Sequence, residues 1–505
     1  MHTDYPALIA AADVYPVASI SPLEPAPKLS QRLGQQVWLK REDLQPVRSF
    51  KLRGAYNMVS QLSPEQRERG VICASAGNHA QGLALAAQKL GIRAVIVMPQ
   101  TTPAIKVDAV RALGGEVVLH ADTFDEANAH AQALAAEQGL SYVPPYDHPL
   151  VIAGQGTVGK EILEQLPSPP NVIFVPVGGG GLIAGIAAWV KYAAPDTRIV
   201  AVEPDDAACL DVALRAGERV PLSHVGLFAD GVAVRIIGEH PFELAQLHVD
   251  AVVTCSVDEI CAAVRDIFED NRSVLEPAGA LAVAGMKRWA ELYPEEAEGQ
   301  SWVCINSGAN VNFDRLRHIA ERAELGEHRE ALLAVTLPEK PGSFMRFCEI
   351  LGRRAVTEFN YRFADAAEAH VFVGLKLSLG RAEREAMMAE IAEAGMAVTD
   401  LSGDEMAKVH IRYMVGGRAG AANEHLFRFE FPERPGALRD FLERIAGRWN
   451  ISLFHYRNHG AAFGRVLCGM QVPPEEIADC RSTLDGLGYE YSEETDNPAY
   501  RLFLA

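Results

Sequence analysis

The stretch Ser49-Phe50-Lys51-Leu52-Arg53-Gly54-Ala55 is the part of the sequence around which the rest of the chain is organised. A lysine is almost never fully buried without a partner, so Lys51 alone would be an ordinary solvated side chain. Other residues change that interpretation, because three polar loops elsewhere each follow an apolar strand pattern. These loops are Ser75-Ala76-Gly77-Asn78-His79, Gly178-Gly179-Gly180-Gly181 and Ser307-Gly308-Ala309-Asn310.

Apolar runs rich in β-branched residues alternate with helical stretches through the first part of the chain. Strands are predicted over 37–43, 71–74, 94–98, 116–119, 171–177, 198–202, 251–254 and 302–305. Helices are predicted over 53–62, 78–90, 103–113 and 124–138, and a charged helix over 315–329 reads as a connector between domains. Such alternation is typical of parallel sheets covered by helices on both faces, which bind ligands beyond the carboxyl ends of their strands. The three polar loops lie at such ends.

The four glycines predict an anion site. They join an apolar strand to the helical run beginning at Leu182, so the backbone amides and the helix N-terminus can wrap an anion closely. No G-x-G-x-x-G pattern with a downstream acidic residue accompanies them, which argues against a dinucleotide. With a reactive lysine and polar partners for a ring, the loops can supply what a pyridoxal phosphate site needs.

The loop from Ser75 to His79 allows two interpretations. Ser75 or Asn78 can simply cap the following helix by accepting hydrogen bonds from its first amides. The same exposed amides also suit a substrate carboxylate, and Asn78 offers a donor to a ring hydroxyl. His79 is expected to be structural, because Lys51 already supplies a base.

Composition excludes several classes of partner. The chain has 505 residues, too many for one core, and its 47 basic and 66 acidic side chains give a net charge of −19. That charge repels nucleic acids and anionic membranes. The eight cysteines form no C-x-x-C pair, and residues 1–21 lack the basic and apolar regions of a secretory signal. We expect a soluble protein of the reducing cytoplasm, with no nucleic-acid or membrane partner.

The last part of the chain contains an internal duplication. Residues 333–344 reappear as residues 427–438, 94 positions later, and the match continues beyond them. Each copy has the order strand, Pro-Gly turn, helix, strand, strand, helix, strand, which is typical of a ferredoxin-like domain. A period this long indicates two tandem domains and not a solenoid.

The motifs together resemble the threonine dehydratase family of fold-type II pyridoxal phosphate enzymes. The matching stretches are Ser-Phe-Lys-Leu-Arg-Gly-Ala at 49–55, Ser-Ala-Gly-Asn-His-Ala-Gln-Gly at 75–82, Gly-Gly-Gly-Gly-Leu at 178–182 and Ser-Gly-Ala-Asn at 307–310. The repeats resemble the ACT-like regulatory domains of the biosynthetic branch. The likeness implies an α/β fold with a two-subdomain, tryptophan synthase β-like catalytic region over 1–325. Two ferredoxin-like (ACT-like) α+β domains would follow over 330–401 and 424–496.

By position, the resemblance implies that Lys51 bonds to pyridoxal 5′-phosphate and then serves as the base for the substrate α-proton. It implies cofactor contacts from Phe50, from Asn78 at the ring oxygen, from Ser307 at the pyridine nitrogen, and from Gly178, Gly179, Gly180, Gly181 and Leu182 at the phosphate. Substrate binding is expected from Ser75, Ala76, Gly77, Asn78 and His79. A serine hydroxyl does not enforce a protonated pyridine, which favours elimination over transamination.

The implied activity is the deamination of L-threonine to 2-oxobutanoate and ammonia by α,β-elimination, the first committed step of isoleucine biosynthesis. L-Serine is expected as a secondary substrate. Ala76 stands where similar serine racemases have a second serine, so racemase activity is not expected. Cys209 replaces a carboxylate within the segment 203–209 that binds a divalent cation in some relatives, so no metal site is expected.

Two alternatives stay open. One is a dehydratase acting mainly on serine, because one methyl group in a pocket contributes only about 1–3 kcal/mol of discrimination. The other is an amino-acid sensor whose catalytic-looking half merely binds its ligand.

The repeats are expected to regulate the enzyme. Two ferredoxin-like units side by side can leave a ligand pocket at their junction, with Phe359, Tyr361, Phe454 and Tyr456 available to contact an aliphatic side chain. Isoleucine is the expected inhibitor and valine its possible opponent. A homotetramer is expected from the family alone.

Overall fold

The structure, a computed structural model, forms two compact units, the first ending at Gly326 and the second beginning at Glu327. The described residues are 3–102, 104–296, 298–313, 315–352, 354–364, 367–414, 416, 418–432, 439, 441–443, 448–457, 463–487 and 489–504.

The first unit alternates strands and helices along the chain. Its described strands are β1 (Leu23–Pro25), β2 (Gln36–Arg41), β3 (Val71–Ala74), β4 (Ala94–Met98), β5 (Glu116–Leu119), β6 (Ser141–Tyr142), β7 (Val172–Pro176), β8 (Arg198–Pro204), β9 (Ala251–Cys255) and β10 (Ser301–Asn306). Its described helices are α1 (Tyr5–Ala11), α2 (Pro27–Leu33), α3 (Lys51–Val59), α4 (Pro64–Arg69), α5 (Asn78–Leu90), α6 (Ala104–Ala112), α7 (Phe124–Gln138), α8 (Pro149–Gln165), α9 (Gly181–Ala193), α10 (Cys209–Ala216), α11 (Glu239–His248), α12 (Val257–Asn271), α13 (Pro277–Leu292) and α14 (Arg315–Gly326).

These strands build two sheets. The larger sheet has the order β1-β2-β10-β7-β8-β9, and only the pairing of β1 with β2 is antiparallel within it. The smaller sheet has the order β5-β4-β3-β6 and is parallel throughout. The predicted parallel α/β architecture is therefore present as two sheets, one for each subdomain.

The three polar loops lie at carboxyl ends of neighbouring or central strands, as the pattern predicts. Residues 75–79 follow β3, residues 178–181 follow β7, and residues 307–310 follow β10. β7 and β10 are adjacent in the larger sheet. A bridge between Ser49 and Gly308 joins the Lys51 loop to the end of β10, so all four loops converge.

Two predicted helices have different bounds. The helix expected over 53–62 begins at Lys51, because Phe50 already has helical dihedrals of −62° and −17°. The helix expected as a connector over 315–329 ends at Gly326 and belongs to the first unit, where Ile319 and Ala323 pack in the core beneath the larger sheet. The predicted start at Pro103 lies outside the described residues, and α6 is described from Ala104.

The second unit is one antiparallel sheet built from both repeats. Its described strands are β11 (Glu330–Pro338), β12 (Val356–Arg362), β13 (Glu368–Lys376), β14 (Ala397–Asp400), β15 (Glu424–Pro432), β16 (Asn450–Arg457), β17 (Phe463–Gln471) and β18 (Glu490–Glu493). The order is β14-β11-β13-β12-β16-β17-β15-β18, so the second half repeats the first in reverse. Antiparallel pairing of β12 with β16 joins the two copies.

The helices of the second unit largely follow the predicted order. Those that the structure describes are α15 (Ser343–Leu351), α16 (Arg381–Glu393), α17 (Glu405–Val409), α18 (Ile477–Asp485) and α19 (Pro498–Phe503). The short helices α17 and α19 follow the last strand of each copy and were not predicted. The Pro-Gly turn and first helix predicted for the second copy, within 433–447, lie mostly outside the described residues.

Both units have apolar cores and buried thiols. Leu333, Val335 and Leu337 alternate along β11 into the core of the second unit. All eight cysteines are buried and none is in a disulfide. Among the described residues, no helix combines the length and apolar character that crossing a membrane requires.

Candidate active site

Lys51 is the first residue of helix α3. Its Nζ donates a hydrogen bond to the carbonyl oxygen of Pro145 at 2.9 Å and lies 5.3 Å from the centre of the Phe50 ring. Loss of water around the ammonium lowers the pKa of Lys51 to about 8, and the negative field of Glu276 opposes that shift. A lysine with this pKa has a neutral fraction near pH 7 and can act as a nucleophile or a base.

A buried ion cluster holds helix α3 in place. The Arg53 guanidinium binds Glu42 at 2.8 Å and Glu161 at 2.5 Å, and Lys40 binds Glu161 at 2.6 Å. All four side chains are at most 1% exposed, and the two cations balance the two carboxylates. Since a buried charge is tolerated only when paired, the cluster fixes the helix that carries Lys51.

The glycine loop forms a close-fitting turn at the N-terminus of helix α9. Gly180 has a φ of +88°, which disfavours other residues there. A Cβ at Gly179 would overlap the ring of Tyr146, and a Cβ at Gly178 would lie 2.8 Å from the Cα of Val232. The loop therefore leaves its backbone uncovered at the positive end of a helix, the arrangement that binds phosphate groups.

Gln155 lies beside this turn with its amide buried. The side chain is 0% exposed, and neither polar atom has a hydrogen-bond partner among the described residues. Its Oε1 would lie 2.6 Å from a Cβ at Gly181. A buried amide usually has a hydrogen-bond partner. The Gln155 amide therefore offers unused hydrogen-bonding groups beside the glycine turn.

The loop after β3 caps helix α5 and leaves open space beside Gly77. Ser75 Oγ accepts hydrogen bonds from the amides of Gly77 and Ala80, each 3.3 Å long, and so caps helix α5. A Cβ at Gly77 would meet nothing within 4 Å, so the backbone beside Ala76 is open. The Asn78 side chain lines the pocket that also holds Lys51.

His79 is a buried neutral side chain. It is 3% exposed, and its Nε2 lies 2.9 Å from the carbonyl oxygen of Val143. Burial, with the positive charge of Lys51 nearby, lowers the pKa of His79 to about 3. The imidazole is uncharged at neutral pH, and one of its nitrogens is hydrogen-bonded to the backbone. Both properties fit a structural residue.

Ser307 follows β10 directly and is 4% exposed. Its Oγ donates to the carbonyl oxygen of Ala278 at 3.2 Å. Its own carbonyl oxygen accepts from the amide of Phe50 at 3.3 Å, which ties this loop to the lysine loop.

Glu276 and Tyr146 are among the pocket residues that were not predicted. Glu276 is 4% exposed at the start of helix α13 and accepts a hydrogen bond from Asn78 at 2.6 Å. Burial, and then the negative charge of Asp230, raise the pKa of Glu276 to about 7. An acidic residue inside the apolar sequence 274–280 is the signal that would have pointed to it.

The predicted cofactor residues line one pocket with an empty volume of about 440 Å³. Its walls are Phe50, Lys51, Asn78, Tyr146, Pro176, Gly178, Gly179, Gly180, Gly181, Leu182, Gly231, Val232, Glu276, Ala278 and Ser307. The lysine and the glycine turn thus share one cavity.

The segment around Cys209 is occupied by protein contacts. Glu203 accepts hydrogen bonds from the amides of Leu210 and Asp211, each 2.8 Å long, and the Cys209 thiol donates to the carbonyl oxygen of Gly178. Burial raises the pKa of Glu203 to about 7. The described residues contain no group of three or more His, Cys, Asp or Glu side chains arranged to hold a metal ion.

The four predicted effector residues come together in the second unit. Phe359 lies opposite Tyr456, and Tyr361 lies opposite Phe454, in the strand pair that joins the two copies. All four are at most 3% exposed and belong to one hydrophobic core. Their side chains therefore pack against one another, with Phe359 and Phe454 at 5.3 Å between ring centres.

Comparison with known families agrees with this pocket. A family model described as pyridoxal-phosphate dependent enzyme matches residues 15–308, a range that contains the whole pocket. The fold and the site thus define a pyridoxal-phosphate-dependent enzyme. A second family model, described as the C-terminal regulatory domain of threonine dehydratase, matches twice, over 321–411 and 415–504.

Full-length relatives give the family more closely. The chain is 54% identical to the biosynthetic L-threonine dehydratase of Burkholderia multivorans over 506 residues, which cover 99% of each chain. It is 54% identical to the corresponding Escherichia coli enzyme over 503 residues, covering 99% of this chain and 97% of that one. The chain belongs to the biosynthetic threonine dehydratase family.

Solved structures match more than half of the chain. Processed threonine deaminase isoform 2 of Solanum lycopersicum is 53% identical, with a TM-score of 0.62, over 63% of this chain and 92% of that chain. Serine racemase of Dictyostelium discoideum is 28% identical, with a TM-score of 0.57, over 61% of this chain and 98% of that one. The predicted fold class, a fold-type II catalytic region with tandem regulatory domains, is confirmed by these matches together with the two family models.

Proposed function

We propose that this chain deaminates L-threonine to 2-oxobutanoate and ammonia by α,β-elimination, the first committed step of isoleucine biosynthesis. The observation that carries the proposal is the pocket that both Lys51 and the glycine turn at the start of helix α9 line. Relatives that match over nearly the full chain are named biosynthetic threonine dehydratases, which supports threonine as the substrate.

Pyridoxal phosphate fits the pocket. Lys51 would bond to its aldehyde, Phe50 and Asn78 would contact its ring, Ser307 would face its pyridine nitrogen, and Gly178–Leu182 would hold its phosphate. The glycine turn that a Cβ would fill and the unpartnered amide of Gln155 beside it both support an anion at this place. The cofactor supplies an electron sink for the substrate carbon that loses its proton.

Lys51 then has a second task. When it is not bonded to the cofactor, the Lys51 amine would be partly neutral near pH 7 and could take the substrate α-proton, because burial lowers its pKa to about 8. Glu276 is the acidic group whose field acts on Lys51, and it favours the protonated amine that results. Ser307 offers a hydroxyl and no negative charge, which favours loss of the β-hydroxyl over transamination.

The loop after β3 is proposed to bind the substrate carboxylate. Its residues Ser75, Ala76, Gly77, Asn78 and His79 stand at the N-terminus of helix α5, where backbone amides favour an anion. Ala76 carries no hydroxyl that could return a proton to the opposite face of the substrate. This supports elimination without racemisation.

We also propose a division of labour along the chain. Residues 1–325 would carry catalysis, and the repeats at 330–401 and 424–496 would bind the effectors, with isoleucine inhibiting and valine opposing it. Two copies joined through β12 and β16 give related positions for two ligands. Because Phe359, Tyr361, Phe454 and Tyr456 are buried, effector binding there would require these rings to rearrange. A cytoplasmic homotetramer completes the proposal.

The test is direct. Purified full-length protein loaded with pyridoxal phosphate should release 2-oxobutanoate from L-threonine, with a higher kcat/KM than for L-serine. A higher kcat/KM for serine would make serine the principal substrate. Cofactor binding without release of product from either amino acid would favour a sensor over an enzyme.

A further inference from the structure

The amide of Asn78 is held between two other side chains. Its Nδ2 donates to Oε1 of Glu276 at 2.6 Å, and its Oδ1 accepts from Nδ2 of Asn310 at 2.7 Å. Asn78 and Glu276 both line the pocket, whereas Asn310 stands behind them in the loop after β10. Three segments far apart in sequence thus meet at one amide.

The direction of this chain of hydrogen bonds is fixed at one end by the backbone. Asn310 Nδ2 also donates to the carbonyl oxygen of Val47 at 2.9 Å, and a carbonyl oxygen can only accept. Asn310 must therefore present its nitrogen to Asn78, and Asn78 must turn its oxygen towards Asn310. The nitrogen of Asn78 then faces Glu276, whose carboxyl oxygen accepts it.

Gly308 and Gly231 lie close to the hydrogen-bonded pair of Asn78 and Glu276. A Cβ at Gly308 would overlap Oε1 of Glu276 and lie 3.2 Å from Nδ2 of Asn78. A Cβ at Gly231 would lie 3.5 Å from the same carboxyl oxygen. Glu276 is itself 4% exposed, so the contact is a built feature of the pocket and not a surface pair.

We propose that Glu276 and Asn310 are positioning residues that fix the amide of Asn78 with its nitrogen available to the pocket. An amide nitrogen has two N–H groups, and Glu276 takes one of them, so the second can be donated to an oxygen of the bound cofactor. With the amide reversed, an oxygen would face that oxygen and the two acceptors would repel. The proposal rests on the proposed contact between Asn78 and the cofactor ring oxygen.

The test measures the dissociation constant of pyridoxal phosphate for the cofactor-free full-length protein. Glu276→Leu removes the acceptor, and Glu276→Gln keeps an acceptor oxygen of matched size. Each is made in the natural chain and in an Asn78→Ala background. No threonine is present, so failure of the deamination proposal would leave this result interpretable.

Glu276→Leu is expected to weaken cofactor binding about tenfold in the natural chain, the usual effect of losing one charge-assisted hydrogen bond. In the Asn78→Ala background the same change should weaken binding by a clearly smaller factor, because there is no amide left to orient and only the field of Glu276 at Lys51 is lost. Glu276→Gln should stay within about threefold of the natural protein, and Asn310→Leu should show the same dependence on Asn78.

Equal weakening by Glu276→Leu in both backgrounds would overturn the proposal, since Glu276 would then act independently of Asn78. So would a Glu276→Gln variant that binds as weakly as Glu276→Leu. If Glu276→Leu does not fold, Asn310→Leu in the two backgrounds decides by the same comparison.

Discussion

Arg53 and Glu42 are joined by two hydrogen bonds, from Nε to Oε2 and from Nη2 to Oε1, each 2.8 Å long and completely buried. Arg53 stands two residues after Lys51 in helix α3, so this pair helps to fix the helix that presents the reactive amine. Removing one partner of such a pair leaves the other buried and unpaired, which costs more than the pair itself contributes.

Arg53→Met should therefore lower the free energy of unfolding of the first unit by about 3–5 kcal/mol. Arg93→Met is the control, because Arg93 likewise donates hydrogen bonds to a carboxylate, that of Glu116, but with side chains 45% and 52% exposed. Its loss should be at most about 1 kcal/mol. Denaturant titration followed by tryptophan fluorescence suits the measurement. Of the five tryptophans only Trp449 lies in the second unit, so the signal reports mainly on unfolding of the first unit. Equal losses in the two variants would contradict a supporting role for the buried pair.

Gly179→Ala should abolish tight binding of pyridoxal phosphate. The added Cβ would overlap the ring of Tyr146, and the turn proposed to hold the phosphate would have to open. Gly403→Ala is the control, because a Cβ there meets nothing within 4 Å. Equilibrium binding of the cofactor should fall at least about 100-fold in the first variant and stay unchanged in the second. Natural affinity in Gly179→Ala would show that this turn does not hold the phosphate.

Uptake of pyridoxal phosphate by cofactor-free protein should rise with pH, with a midpoint near the Lys51 pKa of about 8. Only the neutral amine attacks an aldehyde, and a pKa lowered by burial means that the neutral form gains population as pH rises through 8. The rate at which visible absorbance appears measures this. A midpoint near 10.5, the ordinary lysine value, would mean that Lys51 is solvated in the cofactor-free protein.

Removal of the second unit should leave catalysis intact and abolish its inhibition by isoleucine. A chain ending at Leu325 keeps both parallel sheets and the whole pocket, so it should retain deamination of threonine. It should lose inhibition by isoleucine, which in the full-length protein is expected to shift substrate affinity roughly 5- to 150-fold. Steady-state kinetics of both forms, with and without isoleucine, give the comparison. Equal inhibition of the two forms would place the effector site in the first unit.

Most residues of the candidate site could be predicted from the sequence, because each belongs to a short motif of neighbouring residues. Lys51 and the four glycines are recognisable from a few neighbouring residues, and the strands before the loops have clear apolar runs. Glu276 was missed because its role depends on Asn78, which is 198 positions away, and a lone glutamate carries no such information.

The fold was predictable to a similar degree. The alternating pattern gave the parallel sheets and the duplication gave the tandem domains. The short helices α17 and α19 escaped prediction, because five or six residues show no helical period and their place is set by packing. The sequence left open whether the two repeats pair through strands or through helices, since edge pairing leaves no local trace in sequence, and the structure joins them through β12 and β16.

The most direct test of the account compares 2-oxobutanoate release from L-threonine by the natural protein, Lys51→Ala and Lys191→Ala, all full-length and supplied with cofactor. Lys191 pairs with Asp250 outside the pocket, so its variant controls for loss of a lysine. We expect natural rates from Lys191→Ala and at least about 1,000-fold slower release from Lys51→Ala, which loses both the cofactor bond and the base. Normal release from Lys51→Ala, or no release from the natural protein, would contradict the account.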